Sequence, residues 1–195
     1  MTVYCATGNP GKLREFRLAA TEAGVHVEAV PGLAGTPPCE ETGETFEANA
    51  ILKAEYYGRH APGLLFADDS GLEVDALGGA PGVYSARFAG PGATDEANNQ
   101  LLLDRMRGVG DRSARFVCAI ALVDGGRLVE IFRGTVEGRI LEQPRGQHGF
   151  GYDPLFYYPP FGCSFGESSP ERKLTVSHRG AALRALFRHL SIGPV

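Results

Sequence analysis

Apolar positions recur along this chain in short runs and in helical spacings that alternate. Thr2 to Thr7 is a short apolar run with the character of a buried strand, and Gly8-Asn9-Pro10-Gly11 breaks it. From Lys12 to Ala23 the apolar residues stand at Leu13, Phe16, Ala20 and Ala23, a helical spacing that stops before Gly24. His26 to Val30 predicts a second strand, and Pro31 to Pro38 a loop. Thr45 to Arg59 carries Phe46, Ala50, Lys53, Ala54 and Tyr57 in helical register, with Thr42 or Thr45 available as N-cap. Leu64 to Ala67 is a short apolar strand that runs directly into Asp68-Asp69-Ser70-Gly71. Thr94 to Met106 predicts a helix capped by Thr94 or Asp95, and Ala181 to Leu190 predicts a closing helix. Between them, Arg115 to Val123 and Leu128 to Val136 predict a hairpin turning at Asp124-Gly125-Gly126. The glycine-rich stretches at Gly78 to Gly82 and Gly146 to Gly151 are loops that let backbone approach a ligand closely. This alternation, without a repeat, low-complexity tract or linker, predicts an α/β fold with a mixed sheet.

Composition narrows the picture. With 195 residues, 43% apolar and 22% charged, the chain suits one globular domain, or one domain in two lobes. A net charge of -4 is too small for a disordered chain of this apolar content. No run approaches the roughly 18 apolar residues of a membrane span. The N-terminus MTVYCATGNP has neither the basic flank nor the apolar run of a signal peptide. The expectation is a soluble, cytoplasmic protein. Cys5, Cys39, Cys118 and Cys163 form no C-x-x-C pair and read as free thiols in a reducing compartment. The 23 acidic residues outnumber the 19 basic ones, which argues against general nucleic-acid binding. A small anionic ligand needs only a local positive cluster. Lysine is rare: Lys12, Lys53 and Lys173 stand among 16 arginines. A compact ammonium and a planar guanidinium are not interchangeable beside a phosphate.

Several stretches carry chemistry. Thr7-Gly8-Asn9-Pro10-Gly11-Lys12 joins the first strand to the first helix. Its glycines, helix-start N–H groups and ammonium suit a phosphate, although an ordinary strand-to-helix turn has the same look. It lacks the spacing of a Walker loop. Glu40-Glu41-Thr42-Gly43 precedes the second helix, where paired acids also serve as solvated helix-dipole partners. Asp68 and Asp69, at the end of an apolar strand, concentrate negative charge where a sheet opens its ligand crevice. A hard divalent cation relieves such a cluster, and Mg²⁺ takes one or two carboxylates with phosphate oxygens and water. An Asx-turn at a strand end is the plainer reading. Gly149-Phe150-Gly151-Tyr152-Asp153-Pro154 sets two aromatics and a carboxylate among small residues, suited to stacking a base or to a β-bulge with core aromatics. Lys173 precedes Ser177-His178-Arg179-Gly180, where His178 and Arg179 either cap the last helix or donate to a purine keto oxygen.

Taken together, TGNPGK, EETGETFEANAILKA, ADDSGLEVDALGGAPGVYSARFAG, GFGYDPLF and SHRGAAL resemble the inosine/xanthosine triphosphate pyrophosphatase family, from about Val3 to Leu190. The resemblance implies a single pyrophosphatase domain over residues 1–195. Its fold would be a mixed, twisted sheet flanked by helices in two lobes, with the active site in the cleft between them. It implies Mg²⁺-dependent hydrolysis of deaminated purine nucleoside triphosphates, ITP, dITP and XTP, to the monophosphate and pyrophosphate, and a homodimer. By similarity, Thr7, Gly8, Asn9, Pro10, Gly11 and Lys12 hold the triphosphate, and Asp69 is the catalytic acid/base with Ser70 on the substrate. Glu40 or Glu41 with Asp69, and Asp68 beside them, hold Mg²⁺. Phe150, Gly151, Tyr152, Asp153, Lys173, His178 and Arg179 line the base and sugar pocket. One departure stands out: the family pattern has Glu-Asn-Ala where this chain has Ala48-Asn49-Ala50, so a glutamate is missing at 48.

The chemistry expected is in-line attack of water on the α-phosphorus, with Asp69 or Asp68 orienting and deprotonating it and Lys12 and Lys53 neutralising the departing pyrophosphate. Two rivals are a Maf-like pyrophosphatase acting on pyrimidine or modified nucleotides and a non-catalytic nucleotide-binding module.

Overall fold

The computed structural model describes residues 1–192, with backbone only at the last of these. Seven strands form one sheet in the order β2-β1-β3-β4-β5-β6-β7. They are β1 (Thr2–Cys5), β2 (His26–Ala29), β3 (Leu65–Val74), β4 (Ser113–Asp124), β5 (Arg127–Ile140), β6 (Phe156–Tyr158) and β7 (Cys163–Ser164). The helices are α1 (Pro10–Ala23), α2 (Phe46–Gly58), α3 (Asp95–Arg105), α4 (Pro170–Val176) and α5 (His178–Ile192). β1 runs parallel to β2 and β3, while β6 pairs antiparallel with β5 and β7, so the sheet is mixed and the fold α/β, as expected.

The chain divides into two compact units. The first comprises Met1–Asp69, Cys118–Gly134 and the stretch from His178 on; the second comprises Ser70–Val117 and Thr135–Ser177. In the first, the helix α1 starts where the breaker run places it. Asn9 caps it by accepting the Lys12 N–H, Pro10 occupies the first turn, and Gly24 ends it in the left-handed region at φ 67°. Phe16 from α1 meets Phe66 of β3 edge-on at 5.0 Å, and Val3, Val27, Leu65 and Ile120 are also buried in this unit. Full burial of each such ring stabilises by about 1.5–3 kcal/mol. Gly134 of β5 lies so close to α5 that a Cβ would stand 2.1 Å from the His178 carbonyl oxygen. The second unit packs around Leu72, Val74, Leu102, Met106, Phe116, Tyr152, Phe156 and Phe165.

Two differences from the sequence reading matter. β3 does not end at Ala67; it runs ten residues, through Asp68, Asp69, Ser70 and Gly71 to Val74. α4 was not anticipated, although Ser169 before Pro170 and Glu171 is a helix-start signal, and the Ser169 hydroxyl accepts the Arg172 N–H at 3.2 Å. The hairpin turns at Gly125 and Gly126, both with positive φ, and β5 continues past Val136 to Ile140. All four cysteines are free thiols, Cys5 and Cys118 buried. Among the described residues, no helix is long and apolar enough to cross a membrane.

Candidate active site

β1 pairs with β3 through Tyr4 opposite Leu65 and Cys5 opposite Phe66, then leaves the sheet into the Thr7–Asn9 turn. β3 continues, so Asp68 and Asp69 lie just beyond the carboxyl end of β1, where a parallel sheet opens a crevice. Successive residues of a strand point to opposite faces. The two carboxylates are therefore neighbours in sequence with separate surroundings.

Asp68 faces α1, α5 and β4. Lys12 Nζ lies 3.1 and 2.9 Å from its two oxygens, Arg179 Nε lies 3.6 Å from Oδ2, and Cys118 Sγ lies 4.0 Å from it. The Arg179 guanidinium also donates through Nη1 to Glu15, a buried acid of α1. Burial pushes the Asp68 carboxyl up, but the charges of Lys12, Arg179 and Lys53 outweigh it and hold the group at about 2. Arg179 is likewise held fully charged: burial opposes its charge, and Glu15 and Asp68 more than restore it. The same burial, with Asp68 adjacent, pushes the Cys118 thiol up to about 12, so it stays protonated.

Asp69 faces α2. Asn49 Nδ2 donates to its Oδ2 at 3.2 Å, and Lys53 Nζ lies 3.1 Å from its Oδ1. Lys53 also lies 3.1 Å from Glu41 Oε2. Burial raises the Asp69 carboxyl above the usual range; Lys53 and Lys12 pull it down only in part, and Glu41 and Asp68 add to the rise. For Lys53 the balance runs the other way: burial lowers it, and Asp69, Asp68 and Glu41 together raise it, so it remains an ammonium.

The other expected residues fall as follows. Thr7 Oγ1 accepts the Asn9 N–H at 3.2 Å, and Asn9 in turn caps α1, so this turn is braced from within. Pro10 lacks an N–H and that of Lys12 is taken by Asn9, so of the first three residues of α1 Gly11 supplies the remaining backbone donor. Gly8 is exposed. Glu41 is half-buried beside Lys53, whereas Glu40 is exposed and its carboxylate makes no ion pair among the described residues. Glu47 pairs with Arg133 at 2.9 Å, and no hydrogen bond or ion pair joins it to Asp69 among the described residues. His178 is buried at the start of α5, and Ser70 is half-buried in β3.

In the second unit, the Phe150–Asp153 loop is built around a buried ion pair. Lys173 Nζ donates to Asp153 Oδ2 at 2.6 Å, and the Phe150 N–H donates to the same oxygen at 3.0 Å. The ammonium stands 5.1 Å from the Phe150 ring centre and 5.7 Å from that of Phe165. Gly149, at φ 75°, has no room for a side chain, since a Cβ would come 2.0 Å from Asp153 Oδ2. Gly151 is held by its N–H to Asp95 at 2.7 Å and by its carbonyl from Asn99 at 3.0 Å. The Tyr152 hydroxyl donates to the Ser85 carbonyl at 2.7 Å.

Sequence reasoning singled out neither Asn49 nor Glu15. Asn49 sits one turn before Lys53 on the same face of α2, a spacing visible in the sequence once Lys53 is suspected. Glu15 lies on the buried face of α1 among Phe16, Ala19 and Ala20, and a charged residue there already asks for a partner.

The residues present suit a hard divalent cation. Mg²⁺ asks for one or two carboxylates, completed by phosphate oxygens and water, and Glu41 and Asp69 converge on one ammonium with the Asp69 charge incompletely compensated. Among the described residues, no group of three or more His, Cys, Asp or Glu side chains gathers for a metal held by protein alone.

The two carboxylates and their ammonium partners lie beyond the carboxyl end of a parallel strand, the place where open α/β sheets bind their ligands. Residues 3–189 match the Ham1 family model, and the chain belongs to the Ham1 family. It is 51% identical over 199 residues to the dITP/XTP pyrophosphatase of Acidobacterium capsulatum, covering 97% of this chain and 98% of that one. It is also 51% identical to the dITP/XTP pyrophosphatase of Thermus thermophilus, covering 100% and 94% of the two chains. Among solved structures, a HAM1 protein from Coxiella burnetii superposes with a TM-score of 0.88 at 38% identity, covering 99% of this chain and 100% of that one. The Staphylococcus aureus Ham1 protein gives 0.86 at 41% identity, covering 98% of each chain.

Proposed function

We propose that this protein hydrolyses deaminated purine nucleoside triphosphates, ITP, dITP and XTP, to the monophosphate and pyrophosphate. The observation that carries the reading is the separation of Asp68 from Asp69 within a Ham1 chain. Asp68, held at about 2 by its cationic neighbours, stays ionised and has no proton to exchange near neutral pH. Its work is to anchor Lys12 at the start of α1, in place for a phosphate. Asp69 carries the raised carboxyl and is the group that takes a proton from the attacking water. Water held by Asp69 attacks the α-phosphorus in line, and the bond to the bridging oxygen of the β-phosphate breaks. Lys12 and Lys53 offset the charge that grows on the leaving pyrophosphate.

Mg²⁺ held by Glu41 and Asp69 supplies further charge neutralisation on the phosphate oxygens when bound. Glu40 lies outside the pair that carries this role. Thr7 to Gly11 furnish the turn on which the triphosphate rests. The Phe150–Asp153 loop with Lys173 offers an aromatic face and backbone donors of the kind that take a purine, and His178 adds a buried imidazole at the start of α5. Arg179, engaged with Glu15 and Asp68, acts through the charge it lends Asp68. The enzyme works in the cytoplasm as a homodimer in this reading.

Selectivity follows from the 6-position of the base. Hypoxanthine and xanthine present a keto oxygen to protein donors; adenine presents an amino group and leaves each buried donor unpaired at a cost of about 1–3 kcal/mol. The test is hydrolysis of ITP, XTP, GTP and ATP with Mg²⁺, with products identified. ITP and XTP should yield monophosphate and pyrophosphate at least about 10-fold faster than ATP. Equal rates on all four remove the selectivity, and release of orthophosphate removes the pyrophosphohydrolase reading. Preference for pyrimidine nucleotides would favour the Maf-like alternative, and binding without turnover the non-catalytic one.

A further inference from the structure

Segment 39–43 lies along one face of α2 and is held at every second residue. The Cys39 N–H donates to the Tyr57 hydroxyl oxygen at 3.1 Å, Glu41 takes Lys53 Nζ at 3.1 Å, and the Gly43 N–H donates to Asn49 Oδ1 at 2.8 Å. The helix partners 49, 53 and 57 are four residues apart, about 6 Å of rise per step. An extended chain covers about 6.6 Å in two residues, so the two repeats stay in register over three contacts. Gly43 fits because a Cβ there would stand 2.7 Å from both Asn49 Oδ1 and the Ala48 Cβ.

Two of these helix residues also reach β3. Lys53 holds Asp69 Oδ1, and Asn49 holds Asp69 Oδ2. Lys53 and Asn49 are thus parallel bridges, each joining the acidic segment to the same carboxylate. One is a mobile cation that the reaction needs at the phosphates; the other is a neutral amide whose orientation is fixed by the Gly43 N–H.

We infer that Asn49 and Tyr57 are positioning residues for the pyrophosphohydrolase reaction: they strap the 39–43 segment to α2 so that Glu41 stays beside Asp69 when Lys53 turns to the substrate. Asn49 also fixes the Asp69 carboxylate by occupying Oδ2, which leaves Oδ1, on the Glu41 side, for the cation. The inference rests on the proposed roles of Asp69 and Glu41.

The experiment compares Asn49→Ala, Tyr57→Phe and Glu41→Gln, singly and as Tyr57→Phe/Glu41→Gln, with ITP as substrate. Tyr57→Phe removes a single hydroxyl at the far end of the strap and leaves the helix intact. The half-activating Mg²⁺ concentration should rise about 10- to 100-fold in Asn49→Ala and about 3- to 10-fold in Tyr57→Phe, with KM for ITP at saturating Mg²⁺ changed less than about 3-fold. The dissociation constant for Mn²⁺ alone, measured by electron paramagnetic resonance, should rise in the same order. In the Glu41→Gln background, Tyr57→Phe should have no further effect on Mg²⁺ dependence, because the carboxylate it positions is gone. Wild-type Mg²⁺ dependence in both strap variants, or an undiminished Tyr57→Phe effect without Glu41, overturns the inference. A lower Tm with normal metal dependence likewise marks the contacts as structural only and overturns it. If Glu41→Gln itself leaves Mg²⁺ dependence unchanged, the proposed metal role of Glu41 fails, and the inference falls with it for that separate reason.

Discussion

The two faces of β3 handle the same side chain in opposite ways. On the face toward α1 and α5, Asp68 is fully enclosed and over-supplied with cations: Lys12 on both oxygens, Arg179 behind, and Glu15 fixing Arg179 in turn. On the face toward α2, Asp69 has one ammonium, shared with Glu41, and one neutral amide. Burial disfavours the ionised form on both faces, and the number of unshared cations decides the outcome. One carboxylate is locked in its charged form by its cationic neighbours. The other keeps a residual need for positive charge, which is the property of a group that binds a cation or takes a proton.

The largest test of this contrast is Asp69→Asn against Asp68→Asn. Asp69→Asn should lower kcat on ITP by about 10²–10⁴-fold while nucleotide binding stays measurable by calorimetry. Its Tm should fall less than that of Asp68→Asn, because the raised Asp69 carboxyl already opposes folding once ionised, which offsets part of the cost of leaving Lys53 with Glu41 alone. Asp68→Asn should instead weaken nucleotide binding through Lys12 and lower Tm. Comparable kcat losses with unchanged Tm in both variants would erase the distinction between the faces.

Next in size is the scaffold. Arg179→Met removes the buried guanidinium that Glu15 and Asp68 share and should destabilise the fold by about 3–5 kcal/mol in a denaturant titration. Adding Glu15→Gln should recover part of that loss. A neutral effect of Arg179→Met would show that the Glu15–Arg179–Asp68 chain is not what holds this face.

Acid stability should follow Asp68. Its folded value lies below its unfolded one, so its contribution is complete above the ordinary aspartate value of 3.8 and is lost as pH falls toward about 2. The amount is on the order of 2 kcal/mol, and it should vanish from the pH–stability curve of Asp68→Asn. The smallest effect concerns rate. As the proposed base, Asp69 must be ionised to accept a proton, so kcat/KM should rise with pH through a value above the usual carboxylate range, and that limb should move to lower pH as Mg²⁺ is raised. A limb indifferent to Mg²⁺ would assign it to another group.

Much of this was legible in the residues. The breaker run, Pro10 and Gly24 set α1, Thr45 set α2, and the Gly125-Gly126 turn set the hairpin, because each signal is local. The end of β3 was not, because Asp68 and Asp69 read as a turn until their partners are known. A strand tolerates two buried aspartates only when helices from distant parts of the chain bring Lys12, Arg179, Lys53 and Asn49 to them. The scarcity of lysine has a similar explanation: Lys12 pairs with Asp68, Lys53 with Asp69 and Lys173 with Asp153, so each lysine meets an aspartate in a buried or half-buried place. The sequence spacing of those partners runs from 16 to 56 residues, beyond any local pattern. Arg179 illustrates the limit: a Ser-His-Arg triplet suggests a ligand contact, while its buried partner Glu15 stands 164 residues away.

In the proposed reaction, water positioned by Asp69 attacks the first phosphorus of the triphosphate. Hydrolysis of ITP in ¹⁸O-enriched water, with mass analysis of both products after a single turnover, tests it most directly. One heavy oxygen is expected in the inosine monophosphate and none in the pyrophosphate. Heavy oxygen in the pyrophosphate would contradict it.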